Sequence, residues 1–149
     1  MQDGIVFTGV DVGKAQLLVS TLPTDKQLRL PNTDSASVRW LRTLPPGSLI
    51  AMESTGRYHQ RLALLAVQAG MTVYVLNARD VHFYAKALGI RDKTDPSDAR
   101  VIARYLLEHH EKLRPWNPGT VEQRNLIELL RRRAVVQRHL SAIDDSLQE

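Results

Sequence analysis

The apolar positions change period along the chain, and the changes mark its elements. Ile5-Val6-Phe7-Thr8-Gly9-Val10-Asp11-Val12 reads as a buried strand ending near Gly13-Lys14. Ala15 to Leu22 is apolar and β-rich and should pair back as a second strand. Pro23-Thr24-Asp25-Lys26 signals a turn, and Gln27 to Leu30 supplies a short third strand. A helical period then takes over. Asp34-Ser35 is the expected cap of a helix carrying Val38, Trp40, Leu41 and Leu44, stopped by Pro45-Pro46-Gly47. Leu49-Ile50-Ala51-Met52 is a short strand ending at Glu53-Ser54-Thr55-Gly56. Tyr58 to Ala69 is helical with Gly70 as its cap, and Thr72 to Leu76 is a strand. Ala78 to Leu88 is helical and closed by Gly89. A loop over 90–94 leads into a helix from Pro96 to about His109.

Three strands followed by alternating helix and strand predict an antiparallel opening and then parallel pairing through right-handed crossovers. The expected fold class is α/β, a mixed sheet flanked by helices. After Pro115-Trp116-Asn117-Pro118-Gly119 the character changes. Thr120 to Glu149 holds no Gly or Pro, and Leu126, Leu129, Val136, Leu140, Ile143 and Leu147 recur at three- and four-residue spacing. Arg133 occupies the one seam position that is not apolar. This is the pattern of a long coiled-coil helix, and it is still running at Glu149. The expected organisation is an α/β domain over 1–115 and, over 116–149, the start of a coiled-coil dimerisation arm, cut short.

Composition narrows the chemistry. A chain of 149 residues can bury one ordinary core. It has no cysteine, which removes disulfides, thiolate zinc sites and cysteine nucleophiles. Any metal must sit on carboxylates or histidines, and carboxylates favour Mg²⁺ or Mn²⁺. Lys plus Arg number 20 against 16 acids, a formal charge of +4. This modest excess suits a polyanionic partner without requiring one. No stretch is apolar for long enough to span a bilayer and no signal-peptide pattern opens the chain, so the expectation is a soluble, cytoplasmic protein that does not engage membranes.

Four acids stand out by their positions. Asp11 lies inside the first apolar strand, on the face of Ile5, Phe7 and Gly9. A charge there is costly unless paired, and turn chemistry does not explain it. Glu53 ends a second apolar strand, and ligands gather at the carboxyl ends of strands in open α/β sheets. Asp95 and Asp98 are spaced i,i+3 around a helix start and can share a face. Each has a plainer role as well: Asp95-Pro96-Ser97-Asp98 is nearly an ideal helix start, and Glu53-Ser54-Thr55-Gly56 fits a strand-to-helix turn. Together the four match phosphodiester chemistry, in which carboxylate-held divalent ions activate the attacking oxygen and stabilise the leaving one.

Several cations flank these acids. Lys14 follows Gly13 at the mouth of the presumed site, Arg57 follows the Glu53 motif with Tyr58 and His59, and Arg91 and Lys93 precede Asp95. Arg131-Arg132-Arg133 is the strongest basic run, and two of its three residues should face outward. Lys14, Arg57, Arg91, Lys93, Arg131 and Arg132 are the candidate nucleic-acid contacts; solvated surface is the alternative for each. His109-His110 is explained by a helix C-terminus, and Trp40 and Trp116 by packing.

Gly9-Val10-Asp11-Val12-Gly13-Lys14, Met52-Glu53-Ser54-Thr55-Gly56 and Lys93-Thr94-Asp95-Pro96-Ser97-Asp98-Ala99 resemble the motifs of the DEDD transposases, which include a pilin-gene inverting recombinase and bridge-RNA-guided insertion-sequence recombinases. The third motif is the most specific, and the resemblance covers the whole chain. It implies an RNase H-like (RuvC-like) fold, with Asp11, Glu53, Asp95 and Asp98 as catalytic, metal-binding acids. It also implies Mg²⁺, with Mn²⁺ able to substitute, and DNA as partner together with a structured guide RNA. Homodimers or higher assemblies would form through the C-terminal helix, in the cytoplasm and on the nucleoid. Members of the family carry a nucleophilic serine in a further domain, so residues 1–149 alone are expected not to recombine DNA.

Other functions fit parts of the pattern. The first motif also resembles the phosphate loop of sugar kinases and actin-like ATPases, which need a second acidic loop that this chain does not repeat. A non-catalytic nucleic-acid-binding and dimerisation module, or a stand-alone RuvC-like nuclease or junction resolvase, would use the same acids and cations differently.

Overall fold

The computed structural model describes residues 4–54, 56–89 and 95–147, the side chains of 95–97 and 147 excepted. Arg91, Lys93 and the carboxylate of Asp95 therefore lie outside the described residues. The elements are β1 (Phe7–Val12), β2 (Gln16–Leu22), β3 (Lys26–Pro31), α1 (Asp34–Leu41), β4 (Leu49–Glu53), α2 (Tyr58–Gln68), β5 (Thr72–Leu76), α3 (Ala78–Ala87), α4 (Asp95–His109) and α5 (Val121–Leu147). A short 3-10 turn, His110–Lys112, closes α4. The chain forms two compact units, Met1–Trp116 and Asn117–Glu149.

In the first unit the five strands form one sheet in the order β3-β2-β1-β4-β5. β2 pairs antiparallel with both β1 and β3, and β4 pairs parallel with both β1 and β5. This is the predicted mixed sheet. Its two faces bury separate cores. Val10, Val12, Leu17, Val19, Ile50, Met52 and Val73 pack with Trp40 and Leu41 of α1 and Leu62, Ala63 and Ala66 of α2. On the opposite face Ala51, Tyr74 and Leu76 pack with Val81 of α3 and with Val101, Ile102 and Leu106 of α4. A central β1 covered on both faces explains why its apolar run hardly alternates.

Strand and helix ends differ in detail from the sequence expectation. β1 starts at Phe7, and Ile5 before it is exposed. α1 is capped by Thr33, whose hydroxyl accepts from the Ala36 amide at 3.2 Å, rather than by Asp34 or Ser35. Asp34 instead receives a forked pair of hydrogen bonds from Arg61 of α2, which holds its carboxyl below the ordinary range. Trp116 packs against the first core and donates its backbone N–H to Val73. His109 and His110 turn their Nδ1 atoms to the carbonyls of Tyr105 and Leu107, at the helix end where a histidine is favoured.

α4 is the central helix of its face and packs on β1, β2 and β4. Small residues let it approach. A Cβ on Gly9 would fall on the backbone of Ala99 and Ala103, 2.9 Å from the Ala103 Cα. Ser20 stands opposite Gly9 in the β1–β2 ladder and is fully buried, and its hydroxyl has no hydrogen-bond partner among the described residues. At the far end of α4, Tyr84 of α3 donates to Glu108 at 2.5 Å, and Tyr84, Tyr105 and His109 form an aromatic cluster. Burial, seconded by the Glu108 carboxylate, pushes the Tyr84 phenol up to about 12.

The second unit begins with a reciprocal cap: the Thr120 amide donates to Gln123 Oε1, and the Gln123 amide donates to Thr120 Oγ1. α5 then runs for 27 residues. Its seam residues Leu126, Leu129, Val136, Leu140 and Ile143 are exposed within this chain, as is Arg133.

Gly9→Ala is expected to destabilise the first unit by about 1–3 kcal/mol through overpacking against the α4 backbone, read by chemical denaturation, whereas Ser20→Ala should leave stability equal or raised because it removes an unsatisfied buried hydroxyl. The Tyr84 phenol is protonated more tightly when folded, so its contribution is complete below its unfolded value near 10 and is lost as pH rises towards about 12. Tyr84→Phe should flatten the fall of melting temperature over that window and remove one late-titrating phenol from the ultraviolet absorbance curve, leaving Tyr74 and Tyr105, which burial also raises.

Candidate functional site

The carboxyl ends of β1 and β4 lie side by side at the middle of the sheet. The parallel register pairs Gly9 with Ala51 and Val10 with Met52, and Asp11 and Glu53 each follow one residue further on. Strand spacing sets their backbones about 5 Å apart, and alternation sends both side chains to the face of Gly9 and Ala51. Both residues are half-buried. Glu53 closes β4 opposite Leu76, and the Ser54 amide extends that pairing by donating to the Leu76 carbonyl at 2.9 Å.

α4 covers this same face, and its direction follows from two contacts. Phe7, at the start of β1, has its ring 5.0 Å from that of His110, just beyond the end of α4. Gly9, two residues on, meets Ala99 and Ala103. The helix therefore runs opposite to β1, and its N-terminus, with Asp98 in the first turn, points towards the Asp11 end. Asp98 is half-buried. The backbone thus brings Asp11, Glu53 and the start of α4 to one end of the sheet. Among the described residues no three His, Asp or Glu side chains are grouped tightly enough to hold one metal ion; the Asp95 carboxylate lies outside that set.

Cations border this end. Lys14 is exposed in the β1–β2 turn, three residues beyond Asp11. That turn is tied down by a hydrogen bond from the Gly13 amide to the Gln16 carbonyl, and by Asn32, whose side-chain amide donates to the Gly13 carbonyl at 2.7 Å. Arg57 is exposed immediately before α2 and makes no capping bond. Tyr58 beside it is exposed, whereas His59, read from the sequence with the helix-start surface, is 5% exposed and belongs to the interior. Arg131 and Arg132 belong to the second unit. Both are exposed on α5, with Arg132 paired to Glu128 one turn earlier.

The residue that sequence reasoning undervalued is Gly9. It entered only as a neighbour of Asp11 on one strand face and as the first residue of the Asp11 motif, with no packing role. An isolated glycine inside a strand is a known mark of close backbone approach, and here that approach seats the helix that carries Asp98.

The mixed sheet order and the helices on both faces define an RNase H-like fold. Among solved structures the chain is similar to RuvC of T. thermophilus in complex with Holliday junction substrate. That match has a TM-score of 0.53 at 15% identity, covering 76% of this chain and all of that one. The DEDD transposase family of the IS110 type, described as a transposase, matches residues 8–149, and the chain belongs to that family. It is 37% identical over 91 residues to the pilin gene-inverting proteins of Moraxella lacunata and Moraxella bovis. The match takes in 61% of this chain and spans 28% of the length of each of those relatives.

Proposed function

We propose that the first unit is the metal-dependent catalytic domain of a DNA transposase or site-specific recombinase, and the second the beginning of its dimerisation arm. The observation that carries this reading is the meeting of Asp11, Glu53 and the Asp98 turn of α4 at one end of the sheet. Two strand carboxylates at neighbouring positions repel each other unless a cation or hydrogen bonds compensate them. The donor set is all oxygen and the chain has no thiol, which fits a hard divalent ion such as Mg²⁺, with Mn²⁺ as substitute.

Asp11, Glu53, Asp95 and Asp98 would hold the metal. Bound there, it supplies Lewis-acid polarisation of the scissile phosphodiester and charge stabilisation for the leaving oxygen. The protein's own part is positional. The Gly9 seat fixes α4 against β1, so the first turn of α4, with Asp98, stands at the same end of the sheet as Asp11 and Glu53. Lys14 and Arg57 take the DNA backbone at the rim, Arg91 and Lys93 add positive charge ahead of Asp95, and Arg131 and Arg132 offer further phosphate contacts on the arm. The attacking oxygen is that of water or of a serine such as members of the family carry in a further domain, and a structured guide RNA takes part as partner. Residues 1–149 alone then bind metal and nucleic acid without completing recombination. The protein works in the cytoplasm, on the nucleoid; no helix among the described residues is long and apolar enough to cross a membrane.

The Asp11→Asn variant tests the metal centre. Calorimetric titration with Mn²⁺ should give a saturable isotherm for the unmodified chain and none for the variant; equal isotherms would remove Asp11 from the ligand set. The arm is tested by sedimentation. Each Leu of the seam contributes about 1.5–3 kcal/mol when a partner helix buries it, so Leu129→Glu with Leu140→Glu should convert a dimer to monomers while leaving the first unit's melting unchanged. A monomeric parent chain would count against the arm.

A further inference from the structure

α3 presents an aromatic ring framed by cations, and it starts beside the proposed catalytic end. Its inner face is Val81, Tyr84 and Ala85, packed into the second core. Its single acid, Asp80, lies on the flank shared with Tyr105 and Leu113. The remaining face carries Arg79, His82, Phe83 and Lys86, all at helical spacing and without an acid. Phe83 is 54% exposed, above any other large apolar side chain among the described residues of the first unit. The Arg79 guanidinium stands 5.6 Å from the centre of its ring, and the His82 ring lies 6.2 Å away. An i,i+4 Arg–Phe contact explains part of this arrangement, yet it leaves most of the ring in water, where an apolar surface costs free energy.

A platform of this composition matches an unpaired nucleic-acid strand. Such strands are bound by aromatic rings that stack on bases and by cations that follow the phosphates, whereas a duplex keeps its base faces hidden. The placement fits the same partner. β5 ends at Leu76 beside Glu53, Asn77 caps α3 by accepting from the Arg79 amide at 2.8 Å, and Phe83 lies about 9 Å along the helix axis from that cap. That span is on the order of one or two nucleotides of extended strand.

We infer that the outer face of α3 is a docking platform for single-stranded DNA adjoining the cleavage point, with Phe83 stacked on one unpaired base and Arg79 and Lys86 on the flanking phosphates. The location beside the cut rests on the transposase reading; the platform itself is tested without it. Fluorescence anisotropy of the 1–149 chain with a labelled oligo(dT), in EDTA, reads binding with no metal and no cleavage. Phe83→Ala and Phe83→Leu should each weaken binding by about tenfold, the loss expected for one stacked base, and Phe83→Trp should restore it. Arg79→Ala with Lys86→Ala should lower the dependence of affinity on salt. Circular dichroism should be unchanged throughout, because the replaced side chains are exposed. A Leu variant equal to the parent, a parent that fails to bind oligo(dT), or a loss seen with oligo(U) but not oligo(dT) would each overturn the assignment. The metal reading is tested by its own Mn²⁺ titration and the platform by oligo(dT) in EDTA, so the two fail separately.

Discussion

α4 rests on β1 at backbone distance, and the geometry of the sheet's carboxyl end depends on that contact. Gly9 supplies the space: any side chain there would meet the Ala99 and Ala103 backbone. Ala51 beside it on β4 and Ser20 opposite on β2 keep the surrounding surface low. Close approach brings one helix over three strands, buries Ile102 and Leu106 completely, and fixes how far the first turn of α4 stands from the ends of β1 and β4. The buried hydroxyl of Ser20, without a partner among the described residues, is a cost in the same layer.

Direction matters as much as distance. Because α4 runs against β1, the positive end of its dipole faces the same end of the sheet as Asp11 and Glu53. Negative charge is therefore tolerated there better than the apolar surroundings of β1 alone would allow. The other end of the helix carries the complementary arrangement, with His109 and His110 turned to the last carbonyls. One helix thus reconciles an acid-rich end and a histidine-bearing end with a single core between them.

The order and type of the elements were legible in the sequence because each carries its own period, from the β-rich runs of β1 and β2 to the uninterrupted spacing of α5. That Asp11 and Glu53 stand at the ends of neighbouring strands was legible because Asp11 breaks an apolar strand and Glu53 closes one. What could not be read were features set by packing between elements distant in sequence. Thr33 caps α1 while Asp34, the first residue of the helix, is engaged by Arg61 of α2, and His59 turns inward although it adjoins the exposed Arg57 and Tyr58. Gly9 was visible as a residue, but its role depends on Ala99 and Ala103, some ninety positions away.

The two units put their apolar surface to different uses. The first consumes its own, burying nearly every large apolar side chain of its sheet on one of two helical layers. α5 leaves Leu126, Leu129, Val136, Leu140 and Ile143 in water along one seam. A helix of this length gains stability from packing more than from propensity, so a seam of five exposed apolar residues favours a second helix against it. Arg133 within that seam disfavours a dry, uniform interface and would instead select register, as a polar seam residue does in paired helices. The first unit is complete in its core, whereas the arm leaves its seam in water, so an added helix would gain most by packing on α5.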